Sequence, residues 1–269
     1  MSATTCIGAQ VASEAGEVLD MAGIFYVLFG WLPVALIAED KGFGEVDLLV
    51  PKQDLTRAIE KLVEAGFHEC QDPNCIELQE NRRPITSNNV FQAMAFLIGN
   101  SIHAVANAHF HLGSQYESCT VLSLYTISDL LWWFEDKEQR LLLTDDDVWF
   151  SNDSRLPPYR EGGPSGAWTA LPPVRMLSPT AFSEALIRLM CQNYGHIKGV
   201  GRAWRKMWEC LMRNAHHMDL DPRFQPVWDS FSASHYTGNP YEILRALRDE
   251  MVANNEFPYL PPVNLNGLT

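Results

Sequence analysis

The sequence predicts an α/β (α+β) fold: a mixed sheet flanked by helices in the front of the chain, followed by a mostly helical C-terminal part. Three observations predict it. Between residues 11 and 66, short apolar runs alternate with segments whose apolar residues recur at helical spacing. From Ser178 onward helical spacing dominates. Between these parts, residues 145–166 hold Asp145, Asp146 and Asp147, two adjacent prolines and a GGPSG run, which read as a loop. That loop is the expected boundary, giving a domain over 1–150 and a helical region over 167–269. A chain of 269 residues with 46% hydrophobic content is long and apolar enough to bury a substantial core.

Residues 11–22 read as a first amphipathic helix, and Tyr26 to Phe29 as a short apolar strand. Gly30 ends that strand where the backbone is able to come close to a ligand, and 31–38 reads as helix. Glu45, Val46 and Asp47 open the next apolar run, Leu48 to Val50, which Pro51 stops. Residues 54–65 follow as a helix with Leu55, Ile59, Leu62 and Val63 at helical spacing, and Gly66 closes it. Runs at 75–78, 91–98, 102–111 and 121–127 are strand candidates. Beyond the loop, PPVRMLSP is a short extended segment. Ser178 with Pro179 and Glu184 then opens a helix carrying Phe182, Leu186 and Leu189. Further helices are expected over 196–214 and 240–254, before an extended tail, FPYLPPVNLNGLT.

The candidate chemistry starts with the acid pair. Alternation along a strand puts Glu45 and Asp47 on one face and Val46 on the other. Two readings stand side by side: two carboxylates solvating a strand end, or two hard oxygen ligands for Mg²⁺. The order of strand, Gly, helix, acid-x-acid strand and helix resembles the nucleotidyltransferase fold, in particular its antitoxin-like and antibiotic-modifying members, over about the first quarter of the chain. The resemblance implies that Gly30 and the residue after it, Trp31, bind a nucleoside triphosphate. It also implies that Glu45 and Asp47, with a third acid on a later strand, hold magnesium, which neutralises charge on a transferred phosphoryl group. The chain departs from the pattern in two places: Trp31 stands where a small residue is usual, and Glu45 carries one methylene more than the usual Asp. The phrases HFHLG, LYTISDLLWWF and LPPVRMLSPTAFSEALIRLMCQ resemble a large group of fungal proteins of unassigned activity that share this front half.

His103, His109 and His111 form a second constellation. In a strand His109 and His111 share a face, and H-x-H is a spacing at which two imidazoles grip one metal or a phosphate; the other reading has them facing solvent or neighbouring polar groups. If the resemblance holds, their strand lies near the acid strand, and His109 acts as a base or His111 as a phosphate ligand where the third acid is missing. Glu117 and Asp129 are the nearest candidate third carboxylates, although Ser128 and Asp129 fit a helix cap better. Six cysteines without CxxC spacing read as free thiols rather than as disulfides or a zinc site.

A net charge of −13 disfavours a nucleic-acid surface. The one basic cluster, Lys198, Arg202, Arg205, Lys206 and Arg213, falls on a predicted helix with Trp204 and Trp208. It reads as a solvated face whose tryptophans enter the core, with phosphate binding as the alternative. No run is long and apolar enough for a membrane span, and the N-terminal residues carry no signal-peptide pattern, so the expected compartment is cytoplasmic.

The expected function is therefore a divergent transferase binding a nucleotide or activated phosphate compound with Mg²⁺, in fungal secondary (small-molecule) metabolism. Glu45, Asp47 and His109 carry its chemistry, and Gly30, Trp31 and His111 bind its cofactor or substrate. One alternative is a pathway enzyme using aminoacyl donors, akin to the arginine-containing cyclodipeptide synthases. The acid pair then meets a small cationic substrate or moves protons, and tRNA enters only with this alternative. The other is a noncatalytic binding protein in which Trp31 fills the former nucleotide pocket.

Overall fold

The computed structural model describes residues 6–39, 44–75, 77, 105–116, 119–134, 146–195, 201–214, 218–232 and 237–261. The expected strand at 91–98, together with His103, Glu117 and Lys198, lies outside them. The chain divides into two compact units, Met1–Ser178 and Pro179–Thr269.

The first unit is a mixed α/β domain. Helix α1 (Ala9–Met21) leads into β1 (Val27–Phe29), α2 (Trp31–Ile37), β2 (Glu45–Val50) and α3 (Leu55–Glu64). Then come β3 (Ala108–His111), β4 (Val121–Thr126), the short α4 (Ile127–Leu130), β5 (Val148–Phe150) and β6 (Arg175–Leu177). The six strands lie in the order β3-β4-β2-β1-β6-β5. β1 runs antiparallel to β2, and β2 runs parallel to β4. β3 is antiparallel to β4, β6 is parallel to β1, and β5 is antiparallel to β6. The central strands are apolar on both faces: Leu28, Val46, Leu48, Leu49, Leu122 and Leu124 have no solvent access, as expected of strands covered on both sides.

Helix α1 fits because its inward positions are small. A Cβ on Gly16 would lie 2.5 Å from the Tyr26 hydroxyl, so only glycine allows this approach. Tyr26 donates to Asp20 Oδ2 at 3.2 Å, and Arg175 of β6 pairs with the same carboxylate. The Arg175 guanidinium also sits over the Tyr26 ring, 5.4 Å from its centroid. Burial first, then the Asp20 charge, hold the Tyr26 phenol well above its ordinary range. One Asp–Arg pair thus joins α1 to β6 across a sequence separation of 155 residues.

The expected boundary is corrected. Residues 148–150 are not loop but the edge strand β5, and β6 follows at Arg175, so the division falls after Ser178. A three-residue run, Val148 to Phe150, is too short to show alternation, and Asp, Gly and Pro on both sides hide it. The Ser178 amide, donating to the Asp147 carbonyl at 2.8 Å, fastens the end of β6 beside the start of β5.

The second unit contains α5 (Pro179–Gln192), α6 (Gly201–Asn214), α7 (Gln225–Ser232) and α8 (Pro240–Ala253). Phe182, Leu186 and Leu189 are buried, as their spacing predicts. Trp204 and Trp208 of α6 are buried too, and the Trp208 ring meets Trp228 and Phe231 edge-on at 5.7 and 5.2 Å. The solvated-face reading of α6 therefore holds for its tryptophans. Arg205 donates to Glu209 at 2.8 Å. Asn239 caps α8, its side chain accepting from the Tyr241 amide, with Pro240 at the first helical position. No helix among the described residues is long and apolar enough to cross a membrane.

Candidate metal centre and the acid pair

Register decides which side chains meet. Phe29 pairs with Asp47, Asp47 with Ser123, and Ser123 with His109, so these four residues form one row across β1, β2, β4 and β3. Two residues along, Glu45, Val121 and His111 form the next row. By strand alternation both rows project from the same face. Val46 points the other way, beside Gly8 at the head of α1. The predicted common face of Glu45 and Asp47 is thus present, as is that of His109 and His111, and β4 separates the two pairs.

The acid pair sits where β1 ends. Because Phe29 lies opposite Asp47, Gly30 turns out of the sheet level with the first residues of β2. Gly30 has φ 73° and ψ −136°, a conformation open to glycine and strained for other residues. It leads into α2, whose seven residues are all buried, Trp31 among them at 5% exposure. Asp47 is 4% exposed and Glu45 half-buried. Their charge reaches Cys119, just before β4. Burial first, with the Glu45 and Asp47 carboxylates adding to it against a hydrogen bond from the Val121 amide, pushes that thiol up to about 12. The position on β4 level with Asp47 is Ser123, a hydroxyl and not a third acid. Asp129, the other candidate, is exposed in the first turn of α4.

The histidines have different neighbours. Glu69 bridges Phe110 in antiparallel fashion, and the Cys70 amide donates to the His109 carbonyl at 2.9 Å. The segment after α3 therefore runs along the outer side of β3, with Cys70 opposite His109. The chain then reverses at Asp72, whose side chain accepts from the Asn74 amide at 2.9 Å and whose carbonyl accepts from the Cys75 amide at 3.0 Å. This Asx turn, with Pro73 inside it, returns the chain so that Cys75 comes up beneath both imidazoles. Its Sγ lies 3.2 Å from His109 Nε2 and 3.3 Å from His111 Nε2. The two rings meet edge to face, their centroids 5.2 Å apart. One donor atom from each of Cys70, Cys75, His109 and His111 falls within 4.8 Å of every other.

The free-thiol reading of the six cysteines agrees with the structure, and two of them have histidine neighbours that the spacing does not announce. All six are free of disulfides, but Cys70 and Cys75 share a site with the H-x-H pair. The signal was divided: a C-x₄-C around a DPN turn and an H-x-H, separated by more than 30 residues, neither of which is specific alone. Comparison with known proteins finds no matching family model, no matching curated protein and no matching solved structure.

Four donors with two sulfurs and two imidazole nitrogens form a soft-to-borderline set. Two carboxylates and a serine hydroxyl form a hard one. The same sheet face thus offers two unlike sites, one on each side of β4.

Proposed function

We propose that this chain is a divergent transferase of nucleotidyltransferase type, binding a nucleotide or another activated phosphate compound with Mg²⁺ at Glu45 and Asp47. The observation that carries the reading is adjacency: the Gly30 turn leaves β1 level with the acid pair that opens β2. A glycine at positive φ lets a backbone approach a ligand closely, and two carboxylates on one face give oxygen donors beside it. Glu45 is half-buried and one methylene longer than Asp; Asp47 is buried, with Ser123 level with it on β4. Bound Mg²⁺ would neutralise charge on the transferred phosphoryl group. The protein's part is to hold the phosphate chain at the turn and keep the acids aligned.

Two observations favour a second reading, a binding protein without turnover: buried Trp31 directly after Gly30, and Ser123 where a third acid would complete the metal set. Calorimetric titration of ATP, GTP, CTP and UTP, with and without Mg²⁺, tests both on wild type and on Asp47→Asn. Saturable magnesium-dependent binding lost in the variant supports the site. Release of pyrophosphate or phosphate on prolonged incubation then completes the case for the transferase. No binding to wild type under any condition ends the transferase reading and is the outcome expected of the second, in which Trp31 fills the pocket.

A further inference from the structure

We infer that Cys70, Cys75, His109 and His111 bind a single zinc ion in a closed tetrahedral site that clamps the 69–75 loop to the outer side of β3. The inference is independent of the proposed transferase activity.

Three features of the site carry it. The first is distance. With Zn–S near 2.3 Å and Zn–N near 2.0–2.1 Å, the donors of a tetrahedral Cys₂His₂ site stand roughly 3.3–3.8 Å apart. The Cys75 sulfur already lies 3.2 and 3.3 Å from the two imidazole nitrogens, and the whole set spans at most 4.8 Å, so a small inward movement of the thiols closes the site. The second is orientation. Both histidines present Nε2 to the same sulfur, so two imidazoles from one strand face converge on a common centre. The third is construction. His109 and His111 are fixed by antiparallel pairing to β4, Cys70 by its amide on the His109 carbonyl, and Cys75 by the Asx turn. Each ligand therefore sits on a hydrogen-bonded backbone, which lowers the ordering cost of binding. Thiolate and imidazole donors select zinc over Mg²⁺ or Ca²⁺, and four protein ligands leave no open position, the mark of a structural site.

Zinc here also changes the part assigned to His109. Its Nε2 is turned to the sulfur and, once on the metal, has no lone pair left to act as a base toward the Asp47 row. His109 then belongs to the clamp, and the acid site works without it.

The test is metal content of the full chain, purified with a thiol reductant and no chelator from zinc-supplemented medium. Wild type is expected to carry one zinc per chain by inductively coupled plasma mass spectrometry. Cys75→Ser and His111→Ala should each fall at least ten-fold, and His68→Ala, an exposed histidine beside the site, should keep its zinc. Far-UV circular dichroism establishes that the variants are folded. Should either variant fail to fold, cobalt titration of chelator-treated wild type decides. Strong visible bands of tetrahedral cobalt and a thiolate charge-transfer band, saturating at one equivalent, support the site. Wild type that holds no zinc and gives octahedral cobalt spectra overturns it, as does full zinc retention in a folded Cys75→Ser.

Discussion

The acid pair on β2 and the cysteine–histidine group along β3 share one sheet face and differ in almost every other respect. The acids come from alternate positions of β2, one of the two middle strands of the sheet, with Asp47 buried. The four soft donors come from two segments and gather at the outermost strand, where His111 is exposed. The difference teaches that a central position suits holding a ligand rigidly against the core. A sheet edge instead has unpaired backbone groups that need covering, and a metal clip is one way to cover them.

If the two sites are as separate as their places suggest, each should fail alone. The largest effect is expected from stripping the soft site: chelation of wild type, or Cys75→Ser, should lower stability by about 3 kcal/mol, roughly 6–12 °C in Tm for a unit of this size. Thermal scans with and without chelator check this, and an unmoved Tm removes the clamp from the stability of the sheet. Next in size, Gly16→Ala should cost about 1–3 kcal/mol despite alanine's better helix propensity, because its methyl would meet the Tyr26 hydroxyl at 2.5 Å. The Tyr26–Asp20–Arg175 group, in which the tyrosine is buried and the ion pair half-buried, would then shift, which denaturant titration reads. A smaller, purely local effect is expected of Asp47→Asn. Zinc content and Tm should stay near wild type while magnesium-dependent nucleotide binding disappears; loss of zinc in this variant would show that the sites are coupled through Ser123.

The subtlest effect is the pH response of Cys119. In the unfolded chain its thiol releases its proton near 9, and in the folded chain near 12. Between these values the folded state holds the extra proton, so raising the pH favours unfolding. The contribution is complete below about pH 9 and lost as the pH passes 12. Wild type should therefore lose stability more steeply than Cys119→Ala above pH 9. The Cys119 thiol should also react slowly with a disulfide reagent at pH 8, and a few-fold faster in Glu45→Gln, where one of the two carboxylate charges is gone.

The front of the fold was legible because its signals are local. Gly30, Pro51 and Gly66 punctuate runs whose period is plain, and the Glu45–Asp47 face follows from alternation alone. The helices Pro179–Gln192, Gly201–Asn214 and Pro240–Ala253 are legible for the same reason, whereas the short helix Gln225–Ser232 is not among the expected ones. What escaped was whatever depends on distant pairing. β5 is a strand because β6 lies beside it, and Val148 to Phe150 carry no sign of that. Cys70 meets His109 only because the Glu69–Phe110 bridge lays two segments side by side. His109 and His111 are legible as a pair from their spacing, but their partners depend on a register that composition does not encode.

The parallel pairing of Leu28 with Met176 bears on how the chain is made. β1 emerges from the ribosome early, flanked by β2, yet its other neighbour arrives only after most of the remaining unit has been synthesised. Until then one side of the most apolar strand has open amides and carbonyls, a surface that invites pairing with other chains. Truncations ending before Arg175 should therefore aggregate, whereas those ending just after Ser178 should yield a tractable domain. Synthesis rate over the residues that precede β6 then becomes a determinant of yield.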